Sequence, residues 1–185
     1  MKTIIIAGLG NPGKKYEKTR HNAGFVFADY FWQSFREELG FSDWKMDKRL
    51  ESEVSICKDK SKKIILLKPQ TFMNLSGEAV SAAKKYYKVK LENIIVAHDD
   101  IDLPLGKYKV SVNSSSAGHN GAQNLIDMLG TKNFTRLRIG VENRADKTKI
   151  PTEEYVLGKF TAAEMKKISG IIFEISEEFI KKYLS

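Results

Sequence analysis

The sequence predicts an α/β fold: one domain, residues 1–185, in which a mixed, twisted sheet is surrounded by helices. Three observations lead there. Strand-like and helix-like segments alternate along the chain, which is the pattern of a sheet with helices on its faces. The strand candidates Thr3–Ala7 and Asn93–Ala97 are short, continuous apolar runs, as strands covered on both sides require. A chain of 185 residues, 42% of them hydrophobic, is also large enough for one good core. No internal repeat, linker or low-complexity stretch interrupts it beyond the serine run Ser114–Ser116.

The elements follow in order. Thr3–Ala7 is a strand that runs into a glycine-rich polar loop. An aromatic-rich helix spans about Asn22–Leu39 and is closed by Gly40, a residue suited to the left-handed turn at a helix end. Glu53–Cys57 and Lys63–Lys68 form a hairpin about the charged turn KDKSKK, and Pro69 ends it. Leu75, Ala79, Val80, Ala83 and Tyr86/Tyr87 recur at helical spacing within Asn74–Tyr87. Asn93–Ala97 is a buried strand entering His98-Asp99-Asp100. Lys107–Val112 alternates as a strand, His119–Leu129 forms a helix, Arg136–Val141 forms another strand, and Glu142–Pro151 is a polar, mobile loop. Thr161 and Glu164 make a capping box that opens a C-terminal helix. Its Met165, Ile168, Ile172, Ile175 and Phe179 form one apolar stripe for core packing.

Composition excludes several functions. The apolar runs are a handful of residues long, against the roughly 20 that a membrane-spanning helix needs. The lone Cys57 can build neither an intramolecular disulfide nor a Cys-rich zinc site. The N-terminal MKTIIIAGLG is too short in its apolar part for a secretory signal, so a reducing cytoplasm is the expected compartment. The 31 basic and 23 acidic residues give a net charge of +8. Residues 151–185 carry 5 basic and 6 acidic groups, which leaves the surplus in the body of the chain. An anionic partner fits this charge, and so does a merely lysine-rich surface.

Gly8, Gly10 and Gly13 form GxGxxG after a strand, but Pro12 and the charged stretch KKYEKTR delay the next helix. A dinucleotide fingerprint would run straight into it, so nicotinamide and flavin binding are not expected. Three histidines stand among other hydrogen-bonding residues, in Arg20-His21-Asn22, His98-Asp99-Asp100 and Gly118-His119-Asn120-Gly121. Histidine titrates near neutrality and suits a general base, and a carboxylate on its second nitrogen fixes its tautomer. His21 with Asp99 or Asp100 can form such a pair. A metal centre is the competing account, although it would have to gather His21, His98 and His119 from three separate loops. No GxSxG nucleophile motif occurs, and Cys57 lies within a strand pattern, which leaves attack by an activated water as the simplest chemistry. Asn11, Asn74 and Asn120 sit in the same loops, where carboxamides can hold substrate amides or donate to an oxyanion. Asn22 is read as a helix cap.

Five blocks then carry a resemblance: GLGNPGKKYEKTRHNAGF, KPQTFMNLSG, HDDIDLPLGK, AGHNGAQNLI and RLRIGV. In order and spacing the chain resembles the bacterial peptidyl-tRNA hydrolase family over almost its whole length. The resemblance implies a monomeric α/β enzyme without metal, and no cofactor is expected. Such an enzyme hydrolyses the ester joining a peptidyl or other N-blocked aminoacyl group to tRNA. Carried over, His21 would be the general base and Asp99 its orienting partner, and Asn11 would distinguish a blocked amino group from a free one. Tyr16, Phe72, Asn74 and Asn120 match positions that bind the peptidyl and 3′-terminal nucleotide parts, and Met73 lines the same cleft. His119 neighbours the substrate site without an obligatory proton transfer. Lys14, Lys15, Lys18, Lys107, Lys109, Arg136 and Arg138 would face the tRNA phosphates.

Two features depart from the family pattern. Ser111 stands where a second basic residue is common, and serines replace the usual glycine-rich lead-in, which implies a weaker phosphate clamp and a stiffer loop over Asn113–Ala117. The alternative reading is an RNA-binding protein on the same scaffold without hydrolysis, and a third is a hydrolase of simple small esters.

Overall fold

Alternate residues of a strand point to opposite faces, and the central strands of this chain are apolar on both. The computed structural model describes residues 1–58 and 60–183. Asp59 in the expected hairpin turn, and residues 184 and 185, lie outside the described residues. Seven strands, β1 (Lys2–Gly8), β2 (Lys45–Asp47), β3 (Ser52–Lys58), β4 (Lys62–Pro69), β5 (Ile94–Pro104), β6 (Tyr108–Val112) and β7 (Thr135–Glu142), form one sheet in the order β2-β3-β4-β1-β5-β7-β6. The inner strands β4, β1, β5 and β7 are parallel, while the pairs β2–β3, β3–β4 and β6–β7 are antiparallel.

The two faces divide the core. Ile4, Ile6, Ile64, Leu66, Ile95 and Ala97 pack under α1 (Ala23–Leu39) and α5 (Ala162–Tyr183). Their neighbours Ile5, Ala7, Ile65, Leu67, Ile94 and Val96 pack under α2 (Ser76–Tyr87) and α3 (Asn120–Leu129). The C-terminal stripe is core, as expected: Ile168, Ile172, Ile175 and Phe179 are buried and Met165 packs against them.

Four details differ from the sequence reading. The short edge strand β2 has no counterpart there, because pairing with β3 makes it a strand where its own pattern does not. The strand at Ile94 continues past Ala97, since β7 supplies partners even to the polar residues: His98 pairs with Arg138 and Asp99 with Ile139. Short 3-10 turns, Arg20–Asn22 and Met73–Leu75, precede α1 and α2, so both helices start later than their periodicity implies. After the polar loop, a helix α4 (Thr152–Leu157) forms because Tyr155 is buried and its hydroxyl donates to Val141 O at 2.8 Å. The loop itself is tied, as Arg144 bonds Glu142 at 2.7 Å and Ile150 O at 2.8 Å.

Candidate active site

The site forms beyond the end of β1, beside His98–Asp100 in the middle of β5. Gly8 closes β1 against Gly24 of α1, and a Cβ on Gly8 would lie 2.2 Å from Gly24 O. Only glycines permit this approach, which sets the Arg20–Asn22 turn over the end of β1. Leu9 N donates to Ala97 O at 2.9 Å and Phe25 N to Leu9 O at 3.1 Å, locking the glycine-rich loop between β5 and α1. His21 therefore faces Asp99 across a sequence separation of 78 residues.

His21 Nδ1 lies 2.9 Å from Asp99 Oδ1 and 3.1 Å from Oδ2. With an ionised carboxylate this nitrogen is the donor, so Nε2 is left as the basic atom. The ring lines a cleft of about 340 Å³ whose walls include Asp99, His119, Asn120 and Glu153. Burial works against a charged His21, but the negative charge and hydrogen bond of Asp99 outweigh it, and the imidazole pKa is raised. Asp99 is itself deeply buried; burial pushes its carboxyl upward, yet the two imidazoles bonded to it hold it well below the usual carboxylate range. His98 is buried too, and desolvation with the adjacent His119 brings its pKa down to about 3. It is a neutral wall of the cleft, with Nδ1 donating to Asp99 O at 2.6 Å.

Of the metal reading, the residues that converge are His21, Asp99 and His119, whose candidate ligand atoms lie within 4.8 Å of one another. Their contacts are those of a hydrogen-bonded trio, because each imidazole presents a nitrogen at 2.9 Å from Asp99 Oδ1. His98, the third histidine of the zinc reading, does not join them: its Nδ1 holds a carbonyl and its Nε2 is buried without a partner among the described residues.

Asn11 is buried beside the cleft, outside its walls, and its Oδ1 accepts from Met73 N at 2.8 Å. Asn120 opens α3 on the cleft wall. Asn74, Phe72 and Tyr16 stand on the neighbouring loops, outside the cleft's walls. The rings of Tyr16 and Phe72 meet edge to face at 6.4 Å, and Phe72 is 53% exposed. Met73 is buried, its side chain packed so close to Gly121 at the start of α3 that a Cβ there would lie 2.5 Å from its sulfur. Its contribution to the site is the backbone N–H held by Asn11.

The basic residues divide into two groups. Lys14, Lys15, Lys18, Lys107 and Lys109 are exposed. Arg136 is buried and cannot face phosphates: its guanidinium donates to Ser114 O and Oγ and to Ser115 O, fastening the serine loop from beneath. Arg138 donates through Nε to Asp100 and is largely covered. Cross-strand register sets His98, Arg138 and Lys109 in one row on one face, leading from the cleft to the sheet edge.

Two positioning groups escaped the sequence reading. Asn22, read as a helix cap, makes no capping bond; it accepts from Asn11 N at 2.8 Å and donates to Asn11 O at 3.0 Å. Arg20 bonds both oxygens of Glu164 at 3.0 Å and lies over the Tyr155 ring at 4.3 Å, which ties the His21 turn to α4 and α5. Nothing in the sequence marks either partnership, because both join residues from distant elements.

The chain is similar to known proteins over nearly its whole length. The family described as peptidyl-tRNA hydrolase matches residues 5–185. A peptidyl-tRNA hydrolase of Thermoanaerobacter sp. (strain X514) is 44% identical over 176 residues, covering 95% of this chain and 90% of the relative. One from Oceanobacillus iheyensis is 41% identical, covering 91% and 86%. The solved peptidyl-tRNA hydrolase of Acinetobacter baumannii superposes with a TM-score of 0.83 at 32% identity, covering 95% of this chain and 86% of that one.

Proposed function

The chain belongs to the peptidyl-tRNA hydrolase family and hydrolyses peptidyl-tRNA, and on that premise we propose how its own residues carry the reaction. His21 Nε2 takes a proton from a water in the cleft as the oxygen attacks the ester carbonyl carbon. Asp99 holds the imidazole in the tautomer that frees Nε2 and stabilises the imidazolium that forms. The ester C–O bond then breaks, and the 3′-terminal ribose oxygen leaves with the proton returned by His21. Asn120 positions the water, and Asn11 and Asn74, beside the cleft, bind the substrate's peptidyl and 3′-terminal parts. Asn11 also favours N-blocked substrates, because a free ammonium would be desolvated where the site offers an amide partner.

Half-buried Tyr16 and exposed Phe72 form an aromatic pair on which the terminal base can stack. Lys107 and Lys109, with Lys14, Lys15 and Lys18, receive the tRNA phosphates, which position the substrate for the cleft. Among the described residues no helix is long and apolar enough to cross a membrane; that the enzyme is a cytoplasmic monomer working without metal is part of the proposal. RNA binding without hydrolysis gains no support from the family match.

The observation that carries this mechanism is the 2.9 Å bond between His21 Nδ1 and Asp99 on a cleft wall. Release of N-acetyl-aminoacyl groups from tRNA, measured in excess EDTA, tests it. Wild type is expected to be active and His21→Ala to lose about 10²–10⁴-fold, the usual share of a general base. Full activity of the variant, or a zinc-reversible loss of activity in EDTA, would overturn the assignment.

A further inference from the structure

His119 takes no proton in the reaction above, yet its ring is held at both nitrogens. It is the residue preceding α3, and its Nδ1 accepts the Ala122 N–H at 3.1 Å, capping the helix. An accepting Nδ1 places the ring proton on Nε2, which lies 2.9 Å from Asp99 Oδ1. That oxygen is the one His21 Nδ1 approaches at 2.9 Å, and the two imidazole centroids are 4.9 Å apart.

We propose that His119 is a positioning residue: locked in one tautomer by the helix it caps, it shares the Asp99 oxygen on which His21 rests and so sets how firmly Asp99 holds the base. This rests on the reading of His21 as that base. Each hydrogen bond to an ionised carboxylate stabilises the anion. A second donor therefore weakens the pull of Asp99 on the proton of the first. Without His119, Asp99 would bind the His21 imidazolium more tightly and keep the base protonated to higher pH.

The surroundings leave this role to His119. On β5, His98 packs its ring 4.5 Å from that of His119 and directs Nδ1 to a carbonyl. Asp100 is paired with Arg138 of β7. Arg20, beside His21, is engaged by Glu164 of α5, and Glu153 of α4 lines the cleft. Among the described residues, the side chains that bond the Asp99 carboxylate are His21 and His119.

His119→Asn separates the two functions of the ring. Asparagine is a good helix cap and retains an acceptor for Ala122 N–H, but its shorter side chain does not reach Asp99. The acidic limb of the kcat/KM profile, and the midpoint of His21 followed by ¹⁵N NMR on the full chain, are expected to move up by about 1 pH unit, the lower end of what loss of one hydrogen bond to a charged group implies. A residue that merely shaped the cleft would lower kcat or raise KM without moving either midpoint, and unmoved midpoints overturn the proposal. The wild type supplies a second test that needs no variant, since the chain has three histidines to assign. The neutral form of His119 is expected as the Nε2–H tautomer, and an Nδ1–H tautomer would overturn the proposal even if the variant fails to fold. Both NMR readings are made on resting enzyme, so absence of hydrolysis would sink the proposed function and leave this inference separately decided.

Discussion

Asn22 closes a two-point clasp on Asn11, accepting from its backbone N–H at 2.8 Å and donating to its carbonyl at 3.0 Å. The clasp is buried, and it orients the loop whose Asn11 carboxamide then captures Met73 N–H at 2.8 Å. Asn22→Ala would leave both Asn11 backbone groups without partners. An unfolding free energy lower by about 2 kcal/mol is expected, from the usual cost of a buried polar group left unsatisfied. Turnover of peptidyl-tRNA should fall with it, while the His21 midpoint stays in place because Asp99 is untouched. Chemical denaturation and steady-state kinetics check the pair of effects, and undiminished turnover would show that Asn11 does not depend on this clasp.

Asp99 raises the pKa of His21 against the opposing effect of burial, and the pH dependence follows in sign. If His21 is the proposed base it must be unprotonated to act, so kcat/KM should rise with pH through a midpoint above the ordinary imidazole value of 6.5. In Asp99→Asn only burial remains, and the His21 midpoint should drop below that value as activity collapses. Stability follows the same shift: the folded state binds this proton more tightly than the unfolded chain. The increment is thus fully present below the unfolded value and is lost as pH rises through the folded midpoint. A pH series of denaturation curves on wild type and Asp99→Asn measures it, and identical pH dependence in the two would contradict the pairing.

Lys107 and Lys109 are exposed along the β6 side of the sheet, with Lys109 in register with Arg138. Charge reversal at both should raise KM for full-length tRNA substrates far more than for a short 3′-end fragment. Removing one lysine–phosphate pairing should flatten the salt dependence of binding by about one unit of log–log slope. Ser111→Lys should steepen it by about the same amount. Equal effects on long and short substrates would place these lysines outside the phosphate track.

Arg136 fastens the serine loop through Ser114 and Ser115, and Ser111 Oγ meets Ser114 Oγ at 3.0 Å. The loop continues as the cleft wall at Ser116, Ala117 and Gly118, with Asn113 and Ala117 in the left-handed region at φ 55° and 49°. Replacing Arg136 by Met removes the donor and should lower stability by about 2–3 kcal/mol, as expected for bonds to a charged group. Hydrogen exchange across residues 113–118 should rise at the same time. Unchanged protection there would mean that the loop is held by other contacts.

Much of this molecule is legible from local pattern. The apolar runs at Ile4–Ala7 and Ile94–Ala97, the capping box Thr161/Glu164 and the helical stripes are properties of neighbouring residues, and the structure contains them, with Thr161 N donating to Glu164 Oε2 at 2.7 Å. The motif blocks likewise point to His21, Asp99 and the asparagines, because the chemistry of a site restricts residue types. What local pattern does not contain is which distant groups share one atom or one bond. Asn22 looks like a cap and is a clasp, and Arg136 looks like a phosphate ligand and is a buried brace. The tertiary structure also decides that His119 and His21 meet on a single oxygen of Asp99. The physical reason is the same throughout: hydrophobic periodicity acts within an element and survives in the sequence, whereas hydrogen-bond partners and burial of polar groups are settled only when packed elements bring them together.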